Sequence, residues 1–90
     1  MKTAIIQHEV QDFTEWKNVF DQDVPNLVNA GVKLLGLYTS VKNPNDVTMI
    51  FKAPNAEVYD VLMSDPHRQT EIKRGGVIGA PNASFLNKVG

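Results

Sequence analysis

Phe13, Trp16, Phe20, Val24 and Leu27 recur at steps of three and four residues, the spacing of one face of an α-helix. A stripe of that width has to be buried against something. The flanking segments read as strands, so the chain is committed early to a helix lying on a sheet. Asp12 stands just ahead of the stripe and can accept from the free amides of a helix start, with Glu15 completing an acidic form of the capping box. Pro25 falls inside the pattern, where it removes an amide donor and crowds the preceding turn. A kink or restart is expected near Asp23, and Gly31 closes the helix.

The remaining elements follow from composition and punctuation. Residues 3 to 9, centred on Ile5 and Ile6, are β-branched and without helical period, and predict a first strand. Residues 32 to 41 and 47 to 53 are rich in β-formers and are separated by the turn residues Lys42, Asn43, Pro44, Asn45 and Asp46, which predicts a hairpin. A second helix is expected from Asn55, with Val58, Tyr59, Leu62 and Met63 as its apolar face. It bends or restarts at Ser64, Asp65 and Pro66 and stops at Gly75 and Gly76. A turn at Ala80, Pro81 and Asn82 then leads into a last strand over 83 to 89. The order is βαββαβ, an α+β, ferredoxin-like arrangement with a four-stranded antiparallel sheet and two helices on one face.

The hairpin carries a further implication. Alternation puts Val47, Met49 and Phe51 on one face of the third strand and Ile50 on the other; in the second strand it sets Leu35, Leu37 and Val41 against Val32, Leu34 and Tyr38. Both sheet faces then read as apolar, and two helices cover only one. A homodimer through the open sheet face is the expected partner arrangement. Ninety residues are one domain's worth of chain, and a domain of that size buries only about two-thirds of the surface it exposes when unfolded, so a partner subunit would add stability it lacks alone.

Other compositional limits concern function. A net charge of -1 implies neither a basic nor an acidic partner, and the absence of cysteine excludes disulfides, thiolate catalysis and sulfur-based zinc sites. No stretch approaches the length of a membrane span, and the apolar run after Met1 is far shorter than that of a signal peptide, so a cytoplasmic location is expected.

Several pieces of the chain resemble a known family: Val10, Asp12 to Trp16, Phe20 with Asp21, Gly31 with Val32, Asn43 to Thr48, and Gly75 to Asn82 with Phe85. Together they look like small bacterial members of the dimeric α+β barrel superfamily, related to the antibiotic-biosynthesis monooxygenases, and the resemblance spans nearly the whole chain. It implies two ferredoxin-like subunits packed sheet against sheet, with a pocket between sheet and helices in each. Activities in the superfamily include cofactor-free oxygenation of aromatic polyketides, haem degradation and isomerisation. The haem-degrading branch uses an asparagine on the first strand, a tryptophan near the end of the third and a histidine in the second helical region. This chain offers Gln7, then Phe51 or Lys52, then Glu71, and matches none of them.

Two histidines are the candidates for proton chemistry, since imidazole is the side chain that ordinarily titrates near neutrality. His67 falls in the first turn of the restarted helix, where the helix dipole favours a neutral ring able to accept a phenolic or enolic proton; the plainer alternative is an exposed ring beside Arg68. His8 shares a strand face with Ala4 and Ile6 and points into the pocket, into the dimer seam, or to a backbone group that satisfies it. Trp16, Phe20, Tyr38, Met49 and Phe51 are the expected pocket residues, Tyr38 orienting a flat ligand and Trp16 forming a wall, although core packing would use the same side chains. No metal site is expected, because the two histidines lie far apart in sequence, and Asp21 and Asp23 are explained by solvation or capping. Gly75, Gly76 and Gly79 follow a helix, whereas a phosphate loop precedes one. Basic excess and an RNA-binding strand motif are both missing, so no nucleic-acid partner is expected. The expected function is a cofactor-free monooxygenase or isomerase acting on a small aromatic or polyketide-like molecule; the rival is a non-catalytic ligand-binding or dimerisation module.

Overall fold

Asp12 starts the first helix as expected, its side chain accepting from the Glu15 amide at 3.0 Å. A second carboxamide helps: Asn45, in the loop between the second and third strands, accepts from the Phe13 amide at 2.9 Å and donates to the Gln11 carbonyl at 3.4 Å. The helix ends in a Schellman motif, in which the Gly31 amide donates to Val28 at 3.0 Å and the Val32 amide to Leu27 at 2.9 Å. Gly31 has φ +86°, a left-handed conformation open to glycine at little cost. The computed structural model describes residues 2 to 90, apart from the side chains of His67 and Glu71.

Within that range the elements are β1 (Lys2–Val10), α1 (Phe13–Asn29), β2 (Lys33–Thr39), β3 (Asp46–Ala53), α2 (Ala56–Ser64), α3 (Pro66–Arg74) and β4 (Val77–Asn87). The sheet has the order β2-β3-β1-β4, with every neighbouring pair antiparallel. This is the ferredoxin-like plan, with the second helix divided in two at Asp65. Asn55 caps α2 by accepting from the Val58 amide at 3.1 Å.

Register decides which side chains meet the helices. Ala4 lies opposite Phe51, Ile6 opposite Met49 and His8 opposite Val47, and these six share the face on which α1 packs. Trp16, Phe20 and Leu27 press onto that face and are buried with Val10, Val32, Ala53 and Tyr59. Burying such side chains stabilises by roughly 1.5 to 3 kcal/mol each. That sum explains why α1 runs without a break through Pro25, where a restart is expected from sequence: the stripe grips the sheet on both sides of the proline and outweighs the ~3 kcal/mol an interior proline costs.

Two irregularities shift faces away from simple alternation. In β2 the register slips between Leu34 and Gly36, with Leu34 opposite Phe51 and Gly36 opposite Ile50. Leu34 and Leu37 therefore both face the helices, while Tyr38, opposite Thr48, is turned to the outer face. In β4 the register shifts opposite His8: Gln7 pairs with Asn82 but Glu9 pairs with Ile78. The stretch that reads as a turn at Ala80, Pro81 and Asn82 is thus part of a strand that begins at Val77 and bows out at Gly79, whose φ is +69°.

The outer sheet face is less uniformly apolar than alternation implies. Ile5, Ile50 and Leu86 occupy one part of it, with Tyr38 folded over Gly36. Beside them runs a polar ladder across three strands, in which Asn82 donates to Gln7 at 2.9 Å and Gln7 to Asp46 at 2.5 Å. None of the helices among the described residues is long and apolar enough to cross a membrane.

Candidate functional site

Between the sheet and the helices lies a cavity of about 120 Å³. Its floor comes from β1 and β3 through Ile6, His8, Met49 and Phe51; Trp16 and Phe20 of α1 form one wall, and Tyr59, Leu62 and Arg68 of α2 and α3 contribute to the cover. A cavity of ~150 Å³ lined by aliphatic and aromatic side chains takes up benzene, so the space here is on the scale of one aromatic ring.

The aromatic wall is continuous. Trp16 stacks on Phe20 with ring centroids 4.9 Å apart and planes 14° from parallel, and Phe20 reaches Phe51 at 6.5 Å. His8 meets the Trp16 ring edge-on at 5.4 Å and 71°. The imidazole is buried, and among the described residues its Nδ1 has no hydrogen-bond partner. A buried nitrogen left in that state costs free energy unless a ligand satisfies it. Burial is also the chief reason its pKa lies below the ordinary 6.5, against smaller upward pulls from the His8 backbone and the Asp46 carboxylate. The ring is therefore neutral at pH 7 and holds a lone pair with which to accept a proton.

The bulge in β4 explains how this position opens to the cavity. Opposite His8 the β1–β4 register is interrupted, and Pro81, which has no amide hydrogen to give, sits in the displaced segment and lines the same cavity. Tyr59 donates its hydroxyl to the Lys2 carbonyl at 3.2 Å, and burial raises its pKa above 10.0, so it remains a protonated structural group and not a base.

Of the residues expected to form the site, His8, Trp16, Phe20, Met49 and Phe51 come together around the cavity. Tyr38 does not. At 57% exposure it lies on the outer sheet face, because the β2 bulge reverses the alternation that would have turned it inward. His67 belongs to α3, and its side chain lies outside the described residues.

Sequence reasoning misses an ion pair on the cavity's helical side. Arg68 of α3 hydrogen-bonds through Nη1 to Oδ2 of Asp23 on α1, and both residues line the cavity. Neither solvation nor capping accounts for Asp23, which anchors a guanidinium instead. Arg68 Nε is buried and, among the described residues, without a hydrogen-bond partner. The same two residues also line a polar surface groove with Gln22, Asn26 and Arg74, so the pair stands where cavity and groove adjoin. Among the described residues no group of three or more histidine, aspartate or glutamate side chains is placed to hold a metal ion.

Neither a protein-family model nor a curated protein sequence matches the chain. Solved structures do match it. A candidate antibiotic biosynthesis monooxygenase from Bordetella bronchiseptica superposes with a TM-score of 0.81 at 18% identity, covering 98% of this chain and 96% of that one. SnoaB, a cofactor-independent oxygenase from Streptomyces nogalater, gives 0.79 at 11% identity over 99% and 93%. A candidate antibiotic biosynthesis monooxygenase from Nitrosomonas europaea gives 0.76 at 10% identity over 99% of each chain. At these identities the likeness is one of architecture: the chain has the ferredoxin-like fold that these solved structures share.

Proposed function

We propose that this protein is a homodimer that binds a small aromatic molecule in the cavity beneath α1 and acts on it as a cofactor-free oxygenase or isomerase, with His8 as the proton acceptor. The observation that carries the reading is His8 itself: a neutral imidazole, buried against Trp16 in an apolar cavity, with an unsatisfied nitrogen. A general base must be deprotonated at working pH, and the burial that keeps His8 neutral also shields it from water. Removing a proton from a phenol or from the carbon beside a ketone leaves an electron-rich enolate. Returning the proton at another position is isomerisation. Reaction of the enolate carbon with dioxygen gives a hydroperoxide there, and cleavage of its O–O bond with loss of the remaining hydrogen releases water and leaves a new carbonyl, the substrate supplying both hydrogens and all four electrons. SnoaB, which shares the fold, is a cofactor-independent oxygenase and supports the second outcome.

The rival reading, a module that uses its apolar faces only for packing, predicts a filled interior and histidines facing solvent. The cavity and the burial of His8 weigh against it. Phenylacetone in deuterated buffer tests the proton-transfer step without prejudging the fate of the enolate, since enolisation appears as deuterium at its benzylic carbon by NMR, and dioxygen uptake can be followed in parallel. The unmodified protein should accelerate exchange, and His8→Phe should lower the enzymic rate by about 100-fold or more. Full activity in His8→Phe would remove the histidine from the mechanism.

A further inference from the structure

The geometry points to Arg68 as the residue that selects the ligand, by donating a hydrogen bond to a neutral carbonyl on a single-ring aromatic molecule that enters between α1 and α3. The inference rests on the proposal that the cavity binds a small aromatic molecule, and adds to it a recognised group, a direction of entry and a size limit.

Arg68 stands where two spaces meet. It lines both the apolar cavity and the polar groove beside it, as does Asp23, so their ion pair forms part of the partition between the two spaces. A ligand entering through the groove passes this pair before its ring reaches Trp16 and Phe20. Any polar substituent trailing behind the ring then comes to rest near Arg68.

Guanidinium nitrogens are obligate donors, and Arg68 spends Nη1 on Asp23 while its buried Nε meets no acceptor among the described residues. The rest of the lining is mainly aliphatic and aromatic, so the unmet donor stands out against walls that have little polar to offer a ligand. Its Nε edge is closed over in the free chain, and binding includes a small rotation of the side chain to present it.

Charge decides which acceptor fits. Asp23 already neutralises the guanidinium, and a second carboxylate arriving from a ligand would leave a net negative charge in a largely desolvated corner. A ketone, quinone or ester carbonyl accepts the hydrogen bond without that cost. The cavity of about 120 Å³ limits the buried part to about one ring.

Isothermal titration calorimetry on the whole chain tests this with acetophenone, ethylbenzene and benzoate. The proteins are the unmodified chain, Arg68→Lys and Arg68→Met. The ketone should bind about tenfold more tightly than ethylbenzene to the unmodified chain, the increment expected of a hydrogen bond to a charged donor. In both variants the preference for ketone over hydrocarbon, compared within each protein, should fall to near unity. Arg68→Lys keeps a cation beside Asp23 and guards against a loss that merely reflects an unpaired carboxylate; thermal melts establish that each variant is folded. Equal binding of ketone and hydrocarbon to the unmodified chain overturns the role of Arg68 while leaving the cavity as a ligand site. A preference that survives in both variants overturns it as well. Tighter binding of benzoate overturns the neutral-acceptor assignment, and failure of all three compounds to bind overturns this inference and the proposed function together.

Discussion

His8 ties stability to pH in a direction that follows from its burial. Its folded pKa lies below 6.5, whereas in the unfolded chain the ring regains the ordinary value, so between those two values the unfolded chain binds the extra proton. The stability His8 contributes is complete above about pH 6.5 and is lost as pH falls through its folded pKa. The charged groups to consider beside it are Asp46 on β3, which pulls the other way, and the Asp23 and Arg68 pair lining the same cavity. Melting temperatures measured from pH 8 to pH 5 should fall across this window in the unmodified protein and fall less steeply in His8→Phe. At pH 7 the variant should melt no lower than the parent, since it removes an unsatisfied buried nitrogen. That His8 shares a face with Ala4 and Ile6 is legible from alternation, but which face packs on the helices is settled only by pairing with β3, while the stripe of Trp16 and Phe20 is legible from helical spacing. Arg68 and Asp23 are not, because their pairing joins residues 45 positions apart on different helices and no local pattern encodes it.

Element boundaries are readable wherever a side chain does a local job: Asp12 and Asn55 at helix starts, Gly31 at a helix end, Asp65 and Pro66 at a break. They are unreadable where a strand absorbs extra residues. Periodicity carries no mark of the β2 bulge at Leu34 and Gly36, so alternation sends Tyr38 to the wrong face, and Gly79 with Pro81 resembles a turn until β1 is there to pair with both sides of it. Asn45 shows how one loop residue organises neighbouring elements. It receives the Phe13 amide and holds the Gln11 carbonyl, fastening the β2–β3 connection to the start of α1. Asn45→Ala should destabilise the protein by about 1 to 2 kcal/mol, as loss of a helix cap does, whereas Asn45→Asp, which keeps the acceptor for Phe13, should lose less. Urea denaturation of the two variants checks the order.

For the molecule as a whole, the outer sheet face is where the proposed dimer would form. Ile5, Ile50 and Leu86 supply an apolar area, and the ladder of Asn82, Gln7 and Asp46 supplies polar groups that would fix the register of a facing sheet. Sedimentation at micromolar concentration should show a dimer, and Ile50→Lys, which places a charge in the middle strands of that face, should shift it toward monomer. A monomer in the unmodified protein would refute the assembly. The chain contains one tryptophan, and that residue forms the cavity wall against which His8 rests. All of the indole emission of this protein therefore originates at one place. Protonation of the adjoining imidazole, entry of a quenching ligand, or slackening of α1 on the sheet will each alter the same signal, so the folded chain carries its own optical probe of the site without any label being attached.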